Sequence, residues 1–168
     1  MTEIIGPPKD AKRNKPITAQ LRKVLNTAGE AAGIDTIEIV SGGQDVKGKG
    51  TRRTGSTRHD AGRAADVKLL IGERALTFTD TRADPKVLAF VTAAAAAGAI
   101  GIGAGVQYMG NETIHVGFGT SVADKRKLTW GKGGRSVNAP RWLRDAARAG
   151  WTAPGASAPK VKAPAAAA

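Results

Sequence analysis

Thr57-Arg58-His59-Asp60-Ala61-Gly62-Arg63-Ala64-Ala65-Asp66 is the stretch on which the reading of the chain turns. It contains one of the two histidines of the sequence, and the other lies in Glu112-Thr113-Ile114-His115. His59 stands seven residues before Asp66, and Glu112 three before His115. Two imidazoles and one carboxylate are a common catalytic zinc set, because three protein ligands leave a fourth position open for water. A further carboxylate beside that water can act as the general base of metal-assisted hydrolysis. His59, Asp66 and His115 are therefore read as ligands of one Zn2+, and Glu112 as the base.

The spacing has a local physical sense. Gly62 permits a tight turn after His59, since glycine accepts φ > 0 without steric penalty. Ala64 to Leu70 then reads as a strand, on which Ala64 and Asp66 share a face and the small side chain leaves room beside the ligand. Thr113 to Phe118 reads as a second strand. Residues three apart on a regular strand face opposite ways, so Glu112 is expected at the end of the Gly110-Asn111 turn or at a bulge, where its direction can change.

These residues carry a resemblance. Thr57-x-His59-x-x-Gly62-x-Ala64-x-Asp66 resembles the Ser-x-His-x-x-Gly-x-Ala-x-Asp signature of the zinc D-Ala-D-Ala peptidases. That family includes D,D-carboxypeptidases, D-alanyl-D-alanine dipeptidases and bacteriophage L-alanyl-D-glutamate endolysins, and shares its fold with Hedgehog signalling domains. Glu112-x-x-His115 is similar to the family's later pair of base and third ligand. Ile39-Val40-Ser41-Gly42-Gly43-Gln44 resembles its strand ending in Ser-Gly-Tyr-Arg. The likeness extends over roughly residues 17 to 150. Thr57 stands for the usual serine and keeps the hydroxyl. Gln44 stands where the family has an arginine that contacts substrate or the developing oxyanion, so a fixed positive charge is lost there. The resemblance implies an α+β fold, a small antiparallel sheet flanked by helices with a single zinc site, and implies substrate-binding roles for Gln44 and Thr57.

Composition bounds the rest. A chain of 168 residues and 17.3 kDa is one domain's worth, with flexible ends. Cysteine is absent, so any metal must be held by nitrogen and oxygen. With aromatics at 4%, the core must be built largely from Ile, Leu, Val and Ala. The formal net charge of +12 favours polyanionic partners. No recognition-helix motif, aromatic stacking platform or zinc-finger pattern accompanies it, so an anionic cell-wall or envelope surface is expected and a specific nucleic acid is not.

Met1 to Pro16 is polar and basic without an apolar core region, and reads as a flexible arm, not a secretory signal. No window reads as a transmembrane span. Leu21, Val24, Leu25 and Ala28 recur at helical spacing within a helix from Thr18 to Ala32, stopped by Gly33. Thr36 to Val40 reads as a strand. The loop 42–58 carries Lys47, Lys49, Arg52, Arg53 and Arg58 without Walker spacing, so it is not a phosphate loop. Arg52 and Arg53 lie nearest the signature and could reach substrate carboxylates through bidentate guanidinium pairing. Arg53, six residues before His59, is expected to supply the oxyanion donor that Gln44 cannot, with Arg52 as the alternative.

Beyond Asp66 the pattern reads as a turn at Ile71 to Arg74, a strand Ala75 to Thr79 and a helix Pro85 to Ala97. Gly101 to Gly105 lacks the strand-to-helix context of a dinucleotide fingerprint and reads as a strand entering the His115 hairpin. Gly119 to Asn138 reads as irregular; its Trp130 either lines a substrate cleft or covers the core. Ala139 to Ala149 reads as the last helix, and residues 151–168 as an Ala/Pro-rich disordered tail. The domain proper is thus 17–150, and a monomer is expected.

The resulting expectation is a zinc metallopeptidase, a hydrolase cleaving a stem-peptide or crosslink amide of peptidoglycan. The absence of a signal suits a phage or prophage lytic enzyme, made in the cytoplasm and acting at the bacterial cell wall after release by a holin or delivery in a virion. The alternatives are a cytoplasmic D-Ala-D-Ala dipeptidase and a non-catalytic zinc-bound structural or virion binding module.

Overall fold

The computed structural model describes residues 1–50, 53–107 and 109–153. Its first helix, α1 (Ala19–Ala32), starts and stops where the sequence signals lie. The Thr18 hydroxyl accepts the Leu21 N–H at 3.1 Å, relieving one of the orphan donors of the first turn. Gly33 ends the helix with φ 68°, the left-handed conformation that glycine adopts without strain. α2 (Pro85–Ala96) is capped by the Asp84 carboxylate, which accepts from Lys86 N–H at 2.9 Å, and has Pro85 in its first turn. α3 (Arg141–Thr152) begins after Pro140 and runs three residues past the expected Ala149. α2 lies between α1 and α3 and packs on both.

The strands are β1 (Glu3–Ile5), β2 (Thr36–Ser41), β3 (Ala64–Ile71), β4 (Arg74–Ala75), β5 (Gly101–Ala104), β6 (Thr113–Gly117) and β7 (Leu128–Trp130). They form one seven-stranded sheet in the order β1-β2-β3-β6-β5-β7, with β4 paired to the far end of β3. The four inner strands pair antiparallel, as expected, whereas β1 on β2 and β7 on β5 are parallel. The sheet is therefore mixed, which corrects the expectation of a small antiparallel one. Both parallel strands are three residues long and come from segments whose composition carries no alternating pattern. Tertiary pairing, not local preference, makes them strands.

Residues 1–16, read from sequence as a flexible arm, thus supply an edge strand. Thr2 is buried and its hydroxyl donates to Ile34 O at 2.8 Å, and Lys15 bridges to Gly43. The strand expected over Ala75 to Thr79 is cut short. Leu76 still donates to Leu69 O, but Phe78 turns away and donates to Asn111 O.

Period-two alternation on β3 separates the two faces of the sheet. Ala65, Val67 and Leu69 point into the core with Ile37, Ile39, Ile102, Ile114 and Val116, against Leu21, Leu25, Phe90, Val91 and Leu143 of the helices. Asp66 and Lys68 fall on the opposite face. A bulge at Val40 shifts β2 so that Ser41, not Val40, pairs with Asp66. The remaining covering of that face comes from the N-terminal segment, the loop preceding β3 and the segment around β7.

The three helices approach closely through small residues. A Cβ at Gly150 would run into the Thr92 carbonyl and lie 2.7 Å from Ala95 Cβ. Helix propensity alone favours alanine over glycine by about 1 kcal/mol, while overpacking of this kind costs roughly 1–3 kcal/mol. Gly150→Ala should therefore lower stability, by about 1 kcal/mol net, in chemical denaturation. A more stable variant would show that α2 and α3 are not in this contact.

Candidate metal centre

The segment Thr57–His59 is a single 3-10 turn. The Ser56 hydroxyl caps it by accepting Arg58 N–H at 3.1 Å. Ala61 and Gly62 follow with φ of 58° and 77°, the tight reversal expected at Gly62. A Cβ at Gly62 would also collide with the Pro16 carbonyl, so the turn and the N-terminal segment lock together. This reversal delivers His59 from a loop to the face on which β3 presents Asp66.

Register does the rest. Ser41 pairs with Asp66, Asp66 with His115, His115 with Gly103 and Gly103 with Trp130, so one row crosses five strands on one face. His115 Nδ1 lies 3.0 Å from Asp66 Oδ1, and His59 Nε2 lies 3.6 Å from Asp66 Oδ2. One donor atom from each of the three residues falls within 4.8 Å of the others, and all three side chains are buried. Bonds of 2.0–2.1 Å in tetrahedral array require donors about 3.3–3.4 Å apart. The His59 Nε2–Asp66 Oδ2 separation of 3.6 Å lies close to that value.

Protonation suits the same role. His59 Nδ1 donates to the Gly42 carbonyl at 2.9 Å, which leaves the Nε2 lone pair facing Asp66. Such a second bond fixes the tautomer of metal-ligating histidines. Burial, aided by the neighbouring His115, pushes the His59 pKa down to about 4, so the ring is neutral at pH 7. Burial raises the pKa of Asp66, but the His115 hydrogen bond and the charges of His115, His59 and Arg13 outweigh it and hold the carboxyl below its ordinary value. His115 Nε2 is buried without a hydrogen-bond partner among the described residues. Buried polar atoms are rarely left so. A neutral imidazole, a carboxylate and an under-satisfied second imidazole can hold a metal ion.

The three residues open onto a cleft of about 460 Å³ walled by Arg13, Arg58, Met109, Leu128, Trp130 and Ser136. Of the two readings of Trp130 the structure favours the cleft: its buried ring lies 4.9 Å from that of His115 and lines the cleft, on the face opposite the core. Gly103 makes this possible, because a Cβ there would occupy the space of the indole.

Other expected site residues lie elsewhere. Glu112 is in the turn before β6, as expected, but its half-exposed carboxylate sits 3.5 Å from Lys68 Nζ and does not line the cleft. Lys68 is two residues along β3 from Asp66, roughly 7 Å by strand rise. Arg53 does not fold over the three residues. Its guanidinium grips both oxygens of Asp60 at 2.6 and 2.7 Å and donates to Asp45 O at 2.9 Å. Gln44 is buried in the same network: its amide nitrogen donates to Asp60 Oδ1 and Ser56 O, and its amide oxygen accepts from Thr54 N–H. Both therefore shape the loop before His59. Thr57 opens the 3-10 turn and does not line the cleft. Arg52 lies outside the described residues.

The cation that does reach the centre is Arg13. It is held by two bonds to Thr54 O and one of 3.0 Å to Ser41 Oγ, with Nη1 3.6 Å from Asp66 Oδ2. Sequence reasoning passed over it because Arg13 lies in a segment read as a flexible arm, 53 residues from Asp66. Arg58 was also passed over, although it adjoins His59.

No family model matches the chain, and no curated protein or solved structure does. Among the described residues, no helix is long and apolar enough to cross a membrane.

Two outcomes are expected. Purified protein should take up about one equivalent of zinc by metal analysis, and His59→Ala and His115→Ala should each lose most of it; full loading of both variants would refute the centre. Arg53→Ala removes the cation from a partly buried Asp60, which keeps only its Gln44 side-chain bond, and should cost roughly 1–3 kcal/mol of stability while metal content stays constant. An unchanged melting curve would show that the Asp60 pair contributes nothing to the loop.

Proposed function

We propose that this chain is a zinc-dependent peptidase acting on peptidoglycan, cleaving an amide of the stem peptide or its crosslink. The observation that carries the reading is the buried His59, Asp66 and His115 cluster, three residues that could hold a metal ion and that line a cleft. Resemblance of Thr57 to Asp66 and of Glu112 to His115 to the zinc D-Ala-D-Ala peptidases supports the substrate class. The net charge of +12 supports action at an anionic cell wall, as a phage or prophage lytic enzyme would require.

Zinc, when bound, supplies a Lewis acid that polarises a carbonyl and acidifies water. The chain's own residues then divide the work. Asp66 and the two imidazoles hold the ion, and the Gly42 carbonyl keeps His59 in the tautomer that presents Nε2. Arg13, with the only guanidinium paired to Asp66 among the described residues, faces the cleft where negative charge develops on the scissile carbonyl. Glu112 would be the group to take a proton from water and return it to the leaving amine; its carboxylate rests 3.5 Å from Lys68 Nζ. Contacts of catalytic groups commonly tighten only once substrate is bound.

A second reading has one observation in its favour. The Glu112 carboxylate rests on Lys68 and not in the cleft, as in a zinc-bound structural or virion module without turnover. Incubation with purified sacculi followed by mass analysis of the released fragments distinguishes the two. Fragments should appear with the wild type, and Glu112→Gln should keep its zinc while losing about 10²–10⁴-fold in rate. Wild-type rates in Glu112→Gln would remove the base role, and intact sacculi in every reaction would favour the module.

A further inference from the structure

Arg58 is a buried cation that the proposed chemistry does not use. It keeps 8% of its surface exposed, and that surface belongs to the wall of the metal cleft. Of its five N–H groups, the side chain bonds one nitrogen, Nη1, to Phe118 O at 2.9 Å. Nε and Nη2 have no acceptor and no ion-pair partner among the described residues, and they are not sealed from solvent, since His115 Nε2 is the buried side-chain atom left without a partner there. Its guanidinium carbon stands 4.7 Å from the centre of the Trp130 ring, and Trp130 in turn touches His115.

Burial lowers the Arg58 pKa, and the surrounding charges are mixed, with Asp124 opposing that shift and Arg126 and Arg63 adding to it. Asp124 is the carboxylate whose field reaches Arg58, but its oxygens are bonded to Arg126 and Thr120. The charges of Arg126 and Arg63 reach Arg58 as well. A buried charge is costly unless paired and hydrogen-bonded. Trp130 offers a cation–π contact, which offsets part of that cost but satisfies none of the free N–H groups. The other basic residue of the lining among the described residues, Arg13, is paired with Asp66. Asp66 is the only acidic residue of the lining among the described residues, and it belongs to the His59–Asp66–His115 cluster.

A flat, half-stacked guanidinium with unused donors fits a carboxylate, whose two oxygens match its fork. We propose that Arg58 is the anion receptor of the cleft and that the ligand held at the metal centre carries a carboxylate group seated against Arg58 and the Trp130 ring. This inference rests on the peptidase reading for the class of its ligand, a peptide. It adds that the peptide is anionic and names the residue that reads the anion. In a peptidoglycan stem peptide, the carboxylate comes from the α-carboxyl of γ-linked D-glutamate or from the C-terminus.

The stem pentapeptide L-Ala-γ-D-Glu-L-Lys-D-Ala-D-Ala, with lysine in third place, carries these two carboxylates alone. It is to be titrated calorimetrically into zinc-loaded protein as the free acid, with either carboxyl amidated, and with both amidated. Hydrolysis is followed in the same samples by mass analysis. The free acid should bind the wild type roughly 10–100-fold more tightly than the doubly amidated peptide, the range of a charge-assisted pair. The singly amidated peptide that loses this advantage identifies the carboxylate. In Arg58→Gln the preference should vanish, with zinc content unchanged. In Arg58→Lys, which keeps the charge but not the fork, it should persist in reduced form and shows the effect even if the glutamine variant fails to fold.

Equal binding of acid and diamide by the wild type, no measurable binding of the acid, or an undiminished preference in Arg58→Gln overturns the proposal. The two readings separate cleanly. An acid preference without hydrolysis leaves Arg58 as receptor and removes the peptidase, and hydrolysis without an acid preference does the reverse.

Discussion

The constraint on which this structure depends is the register of one row across the sheet. Ser41, Asp66, His115, Gly103 and Trp130 are consecutive partners on five strands, and side chains on a row share a face. A slip of one residue between β3 and β6 would send His115 into the core and Ile114 toward the cleft, because the side-chain period is two. The apolar face enforces the register. Val67, Ile114 and Val116 are fully buried under the helices, so any slip would expose them and bury Lys68. Packing energy on one side of the sheet thereby holds donor geometry on the other.

Two irregularities tune this row. The bulge at Val40 brings Ser41 opposite Asp66, and Ser41 Oγ in turn holds the Arg13 guanidinium. Gly103 removes a side chain so that the Trp130 indole can lie over the sheet against His115. Both departures from regular strand geometry occur at the metal centre, as is common for bulges and strand glycines. The loop before His59 is held separately, by the Asp60 carboxylate bonded to Arg53 and Gln44. The Gln44 amide thus acts on the architecture of the loop.

The electrostatics of the cleft follow from these placements. One carboxylate, Asp66, faces two guanidiniums, those of Arg13 and Arg58, and two imidazoles of which burial keeps His59 neutral. A cleft so biased attracts anions before any metal is counted. The bias comes from residues far apart in sequence, and the overall charge of +12 would not by itself have located it.

The sequence by itself determined the helices, the inner strands and the grouping of His59, Asp66 and His115, which could hold a metal ion. Those features are local or periodic: a threonine cap and a left-handed glycine bound α1, alternation marks β3, and the spacing of His59 and Asp66 across the Gly62 turn sets one arm of the site. It did not determine the parallel edge strands, which have three residues each and no pattern of their own, nor the cleft walls built upon them. Whether Arg53 or Arg13 reaches the centre was decided by competition for partners, since Asp60 captures Arg53 while Thr54 and Ser41 hold Arg13 in place. Glu112 likewise lies where a turn residue should, but Lys68 on the neighbouring strand decides where its carboxylate rests. Such choices depend on which long side chains meet across the sheet, and that information exists only once the strands are paired.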